Sequence, residues 1–180
     1  MARAMAFIDG ENLVARYQAT AKTRTPREIA NRLAYLKDVY VWQQASFDYK
    51  AHELIRATYY TYAVGDDDKV SEIEEAIKEL IVRSNHGPQN LYPRVFKKPK
   101  QSAKAKGVDI QMTVDILTNT HLNNLDIVYL LSGDGDYIPL IEQVMRMGKR
   151  VYIAAFSSGL NPKLRTVADG FTLLDELYFE

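Results

Sequence analysis

Short runs rich in β-branched and aromatic residues alternate along this chain with segments of helical spacing. Ala4–Ile8, Val39–Ala45, Thr58–Val64, Val128–Leu131 and Arg150–Ala154 read as strands, with a weaker strand at Tyr92–Phe96. Helices are expected between them. Pro26–Leu36 carries proline in its first turn, where a missing N–H does no harm. Phe47–Ala57 is read as a second short helix. Val70–Val82 aligns Val70, Ile73, Ile77, Leu80 and Ile81 on one stripe with glutamates opposite. Asp109–Thr118 opens on an acid that suits the positive end of a helix. Asp136–Gly148 closes on glycine, Pro162–Ala168 is a last short helix, and the apolar Phe171–Tyr178 ends the pattern. Strands alternating with helices imply a parallel sheet covered on both faces, a three-layer α/β/α sandwich.

Composition narrows the class. The 180 residues are 47% hydrophobic and 26% charged, the balance of a folded domain with a real core, taken here as one unit over residues 1–180. No apolar run approaches the roughly 18 residues of a membrane span. The run Ala4–Ile8 meets Asp9 too soon for a signal peptide, so the expected compartment is the cytoplasm. There are no cysteines, which excludes disulfides, thiolate metal sites and cysteine nucleophiles, and His52, His86 and His121 lack ligand spacing. Chemistry is left mostly to carboxylates. The C-terminal apolar residues Phe171, Leu173, Leu174, Leu177, Tyr178 and Phe179 either close the core or meet another subunit of a homo-oligomer.

Charge is balanced, 23 basic residues against 23 acidic, yet unevenly spread. Residues 66–79 carry seven acids and two lysines, whereas residues 94–106 hold Arg94, Lys97, Lys98, Lys100, Lys104 and Lys106 with no acid. Such a basic segment is either a solvated loop or the footprint of a phosphate-rich partner.

In an open parallel sheet, ligands bind where the strands end, near the point where strand order reverses. Asp9-Gly10-Glu11-Asn12 follows the first strand, and Ser132-Gly133-Asp134-Gly135-Asp136 follows Val128–Leu131. A further acid, Asp109, follows Lys106-Gly107-Val108 at a helix start. Convergence of Asp9, Asp109, Asp134 and Asp136 would put four carboxylates at one mouth, where their mutual repulsion calls for a cation. Hard oxygen donors favour Mg²⁺ or Mn²⁺, which polarise a phosphodiester and acidify a bound water. Asp115 lies six residues past Asp109, about 240° around a helix, and is expected to support the site or pair with a base rather than bind an ion. Ser132 is placed to hydrogen-bond an aspartate or a phosphate. Trp42 and most of the 12 tyrosines are expected to pack rather than stack on bases.

The segments FIDGENL (7–13), KGVDIQMTVDIL (106–117) and LLSGDGDYIPLIEQVMRMGKRVYI (130–153) resemble, in order and spacing, the NYN family of PIN-like nucleases, particularly its LabA-like branch. The resemblance spans nearly the whole chain. It implies a PIN-like α/β/α sandwich and a Mg²⁺- or Mn²⁺-dependent ribonuclease. It matches Asp9, Asp109, Asp134 and Asp136 to the family's acids and Asn12 to the asparagine that orients site or substrate.

The basic segment then feeds through Lys106 into the acidic motif, so Lys97, Lys98, Lys100 and Lys106 are expected to flank the mouth and bind substrate. An acidic centre repels a polyanion unless cations line its rim. A single strand suits such a site better than a stiff duplex, and RNA is favoured over DNA through the resemblance alone. Two alternatives stand beside this reading. One is a non-catalytic nucleic-acid-binding module with the same fold. The other is a phosphatase of the haloacid-dehalogenase type, which needs a second aspartate where Glu11 stands.

Overall fold

Alternation along the first strand sets up both sides of the molecule. In β1 (Arg3–Asp9), Ala4, Ala6 and Ile8 point to one buried cluster, and Met5 and Phe7 point to another. A strand buried on both faces belongs to the middle of a covered parallel sheet. The computed structural model describes residues 1–27, 33–46, 52–100 and 107–180. Its six-stranded sheet is parallel throughout, with β1 between β4 (Glu53–Val64) and β8 (Ile127–Leu131). β7 (Tyr92–Lys98) forms one edge beside β4, and β9 (Arg150–Ala155) and β10 (Gly170–Leu173) extend the other side. The chain moves outward from β1 through β4 to β7 and then returns to the opposite flank of β1. Strand order therefore reverses at β1 and β8.

Two helices cover one face, α1 (Gly10–Thr20) and α2 (Asp67–Lys78), and two cover the other, α3 (Val108–His121) and α4 (Ile138–Arg146). This is the expected three-layer sandwich. Short helices α5 (Leu164–Val167) and α6 (Asp175–Tyr178) follow β9 and β10. Leu174, Tyr178 and Phe179 are buried in the cluster on the α1 side, so the C-terminal apolar residues close the core. Among the described residues no helix is long and apolar enough to cross a membrane.

Several elements differ from the pattern-based expectation. The helix expected at Pro26–Leu36 is not seen at its end: β2 (Leu33–Leu36) pairs antiparallel with β3 (Tyr40–Gln43) in a hairpin outside the main sheet. Residues 28–32 lie outside the described residues. Of the helix expected at Phe47–Ala57, residues 47–51 also lie outside them, and Glu53–Ala57 open the long strand β4. The stripe of Val70–Val82 continues past the helix: α2 stops at Lys78, and Ile81 starts β5 (Ile81–Ser84), paired with β6 (Gly87–Asn90). The pattern predicts no helix between the first strand and Pro26, yet α1 begins directly after β1. Asp9 caps it, and Leu13, Val14 and Tyr17 make its buried stripe.

Candidate active site

Asp9 ends β1 and begins α1 in the same residue. Its Oδ1 accepts from the Asn12 backbone N–H at 3.0 Å, the N-cap bond that satisfies an otherwise unpaired helix donor. Its Oδ2 accepts from the Ser132 hydroxyl at 2.8 Å, across from the end of β8. Only 3% of Asp9 is exposed. Burial pushes its carboxyl up to about 7; the two hydrogen bonds oppose that rise, and Asp109 and Glu11 add to it. Gly10 follows because nothing larger fits: a Cβ there would stand 2.3 Å from Tyr59 Cε1 and 2.6 Å from the Tyr60 carbonyl oxygen.

The loop after β8 is tied to this corner. The Gly133 N–H donates to Asn12 Oδ1 at 3.0 Å, and the Asp134 N–H donates to Ser132 Oγ at 3.2 Å. Asp134 in turn accepts from the Asp136 N–H at 2.9 Å, an Asx turn that opens a single 3₁₀ turn over Gly135–Tyr137. Behind the loop, the Asn161 N–H donates to the Gly133 carbonyl at 3.1 Å. Each end of the reversal point is therefore pinned to the other through Ser132 and Asn12.

Asp109 arrives from the third segment. Gly107 has φ +111°, which L side chains rarely adopt, and it turns the chain into α3 two residues before the acid. The Tyr137 hydroxyl donates to Asp109 Oδ1 at 3.4 Å. Burial holds the Asp109 carboxyl above its ordinary range; the tyrosine opposes this, and Asp134 and Asp136 reinforce it. Tyr137 itself is driven up by burial and by the negative charge of Asp9, Asp109 and Asp134. Asp109, Asp134 and Asp136 line one cavity of 240 Å³, whose remaining wall is Ile110, Thr113, Val114 and Tyr137. Asp9 is not among the residues lining it, and its carboxylate interacts electrostatically with Asp109.

These observations decide what the chain is related to. The sequence profile of the NYN domain matches residues 3–175. The chain belongs to the NYN domain family. This places it among PIN-like nucleases at the level of the family. An uncharacterised protein of Methanocaldococcus jannaschii is 25% identical over 111 residues, covering 58% of this chain and 45% of its own. The chain thus spans less than half the length of that relative. In fold it is similar to a protein of unknown function from Vibrio parahaemolyticus, with a TM-score of 0.59 and 19% identity over 99% of this chain and 96% of that one.

Within this NYN domain, Asp9, Asn12 and Ser132 are joined by hydrogen bonds at the ends of β1 and β8, and Asp109, Asp134 and Asp136 line the cavity beside them. The lysines disperse. Lys98 is 4% exposed, with Nζ 3.6 Å from the Tyr62 ring centroid and 3.7 Å from Glu11. Lys97 points to the opposite side of the strand, where it meets Asp67 of α2 at 2.8 Å. Lys100 is exposed past the end of β7, and Lys104 and Lys106 lie outside the described residues. Glu11 is half-buried; desolvation raises its carboxyl, Lys98 counters that, and Asp109 adds to it. Asp115 faces a basic residue, Arg94, at 3.5 Å, and accepts from Tyr60 and Gln111 at 2.8 Å, outside the cavity lined by Asp109, Asp134 and Asp136. Tyr137 was not singled out in the sequence, although it directly follows the SGDGD segment.

Among the described residues, no three acidic or imidazole side chains already stand around one point as ligands. The donor chemistry nevertheless suits a hard divalent cation. Asp9 is a carboxylate desolvated beside further carboxylates, and the hydroxyl and N–H that reach it compensate only part of that cost.

Proposed function

We propose that this NYN domain is a metal-dependent ribonuclease that hydrolyses phosphodiester bonds in single-stranded RNA. The observation that carries this reading is the cavity itself. Asp109, Asp134 and Asp136 face it from two separate segments, buried Asp9 adjoins it, and the other wall is apolar through Ile110 and Val114. A cavity lined by both acidic and apolar side chains suits a nucleotide, which carries a phosphate and a base, better than a small phosphate ester.

Asp9, Asp109, Asp134 and Asp136 are the residues that would hold Mg²⁺ or Mn²⁺. Such an ion, when bound, supplies charge neutralisation of the phosphate and a water acidified toward hydroxide. The protein's own contribution is placement. Ser132 and the Asn12 N–H fix both oxygens of Asp9. Asn12 Oδ1 holds the Gly133 N–H and so sets the spacing between the ends of β1 and β8. Tyr137 orients Asp109. Exposed Asp136 stands at the rim, free to meet a ligand or its water shell. Lys98, next to Glu11, and Lys100 and Lys106 are assigned to the approaching strand.

The test is cleavage of end-labelled RNA and DNA single strands with Mg²⁺, with Mn²⁺ and with EDTA. RNA should be cut only when a metal is supplied. Asp134→Asn should lower the rate by at least about 100-fold, the scale seen when a group stabilising transition-state charge is removed. Strand binding without cleavage under every metal condition would favour the non-catalytic module instead.

A further inference from the structure

A second polar cavity opens on the α3 face of the sheet, away from the carboxylates and toward the β7 edge. It measures 110 Å³, many times the roughly 15 Å³ needed for one water. Arg56, Thr58 and Tyr60 of β4, Arg94 of β7, and Asp115 and Asn119 of α3 contribute its polar groups. Two guanidinium groups thus face one carboxylate, leaving a net positive hollow. That carboxylate is already occupied. Asp115 accepts from the Tyr60 hydroxyl and from Gln111 Nε2, both at 2.8 Å, and Arg94 reaches it only at 3.5 Å. Arg94 therefore keeps donors to spare. Among the described residues Arg56 has no acidic partner; its guanidinium lies 5.2 Å from the centroid of the Tyr92 ring. Tyr92 is 49% exposed and also lines the cavity.

We infer that this hollow binds a backbone phosphate of the single strand whose scissile bond lies at the carboxylate mouth, with Tyr92 offering its ring to a neighbouring base. The inference rests on the nuclease reading above for the strand's direction of entry. Three observations favour a nucleic-acid strand as occupant. Arginine forks match phosphate oxygens in pairs. An exposed aromatic ring beside them is the usual sequence-tolerant partner of a base. The distance also fits. Asp109 and Asp115 are six residues apart on α3, about 9 Å of helix rise. A single strand running along α3 covers that rise within a few nucleotides of the mouth. Composition did not point here, because Arg56 sits in a run of aromatic and aliphatic residues and Arg94 counted only as the start of a lysine-rich segment.

The experiment measures binding of a labelled single strand of about 12 nucleotides in EDTA across a salt series, so that no chemistry is involved. Each phosphate contact on a single strand contributes about 0.7 to the magnitude of the slope of log K against log salt. Arg56→Gln with Arg94→Gln should weaken binding at low salt by tenfold or more and reduce the slope by about 1.4. Arg94→Lys should restore the slope but only part of the affinity, since it keeps the charge and loses the fork. If the double variant fails to fold, Arg56→Gln alone should still lower the slope by about 0.7. An unchanged slope in a folded variant overturns the inference. Thermal stabilisation by inorganic phosphate that is lost in the double variant, with strand binding unaltered, would also overturn it in favour of a free-phosphate pocket. The nuclease reading fails separately: it falls if wild-type protein binds the strand with the expected slope yet never cuts it with Mg²⁺ or Mn²⁺.

Discussion

Asp9 concentrates the problem this site has to solve. It caps a helix, accepts a hydroxyl from the neighbouring strand's loop, and sits with 3% of its surface exposed among other acids. A buried carboxylate without a full counter-charge is destabilising when ionised. Its rise from 3.8 to about 7 corresponds to roughly 4 kcal/mol of disfavoured charge at 1.36 kcal/mol per unit. Asn fits the same space, can still accept the Asn12 N–H, and can donate to Ser132. In EDTA at pH 8, Asp9→Asn should therefore melt no lower than wild type, and higher if the charge penalty outweighs the rearranged hydrogen bonds. A lower midpoint in denaturation would mean that the carboxylate is needed for folding rather than held for a ligand. Activity should be lost in the same variant, which separates the two roles.

At the scale of elements, the far end of β1 is held by a different carboxylate. Asp126, just before β8, accepts from the Arg3 backbone N–H at 2.9 Å and from its guanidinium at 3.2 and 3.0 Å. These bonds hold the Asp126 carboxyl down at about 2. Because its folded value lies below the unfolded one, the contribution is complete above about pH 4 and disappears as pH falls through about 2. Both side chains are more than one third exposed, so the charge interaction is well screened and small. Asp126→Asn should lower the melting midpoint by a few degrees at neutral pH, and the gap from wild type should close as the medium is acidified toward pH 2. A gap that stays constant with pH would assign the effect to packing instead of the ion pair. The same pair ties the start of β1 to the start of β8, at the opposite end of these strands from the site.

For the whole molecule, acids drawn from three segments of sequence reach one corner only in the folded state. A divalent ion held by them would bind the native chain and not the unfolded one. It should stabilise the fold by RT ln(1 + [L]/Kd), about 2.7 kcal/mol at a hundredfold excess over Kd. Melting with and without millimolar Mn²⁺ should differ by several degrees, and Asp134→Asn should shrink that difference. Indifference of the wild-type melt to both Mn²⁺ and Mg²⁺ would leave the carboxylate corner without the ligand assigned to it.

The amino-acid pattern by itself determined the parallel sandwich and most of its central strands, because alternation and β-branched runs are local properties that burial on two faces enforces. It also put Asp9 and the Ser132–Asp136 loop directly after strands, and the tertiary structure then set those strands side by side at the reversal of strand order. Where the pattern failed, local propensity met tertiary demand. Leu33–Leu36 and Glu53–Ala57 carry enough helix formers to read as helix, yet hairpin pairing and the long central strand drew them into β structure. Polar Asp9-Gly10-Glu11-Asn12 shows no helical stripe of its own, and becomes a helix start because Asp9 caps it while Leu13, Val14 and Tyr17 find a core. The lysines show the same division most plainly. Adjacent in sequence, Lys97 and Lys98 point to opposite faces of β7, one to Asp67 and one to Glu11. Arg56 and Arg94 are 38 residues apart and line one hollow. Sequence gives the number of charges, but only strand pairing brings a particular pair together, because the pleat decides which face each side chain takes.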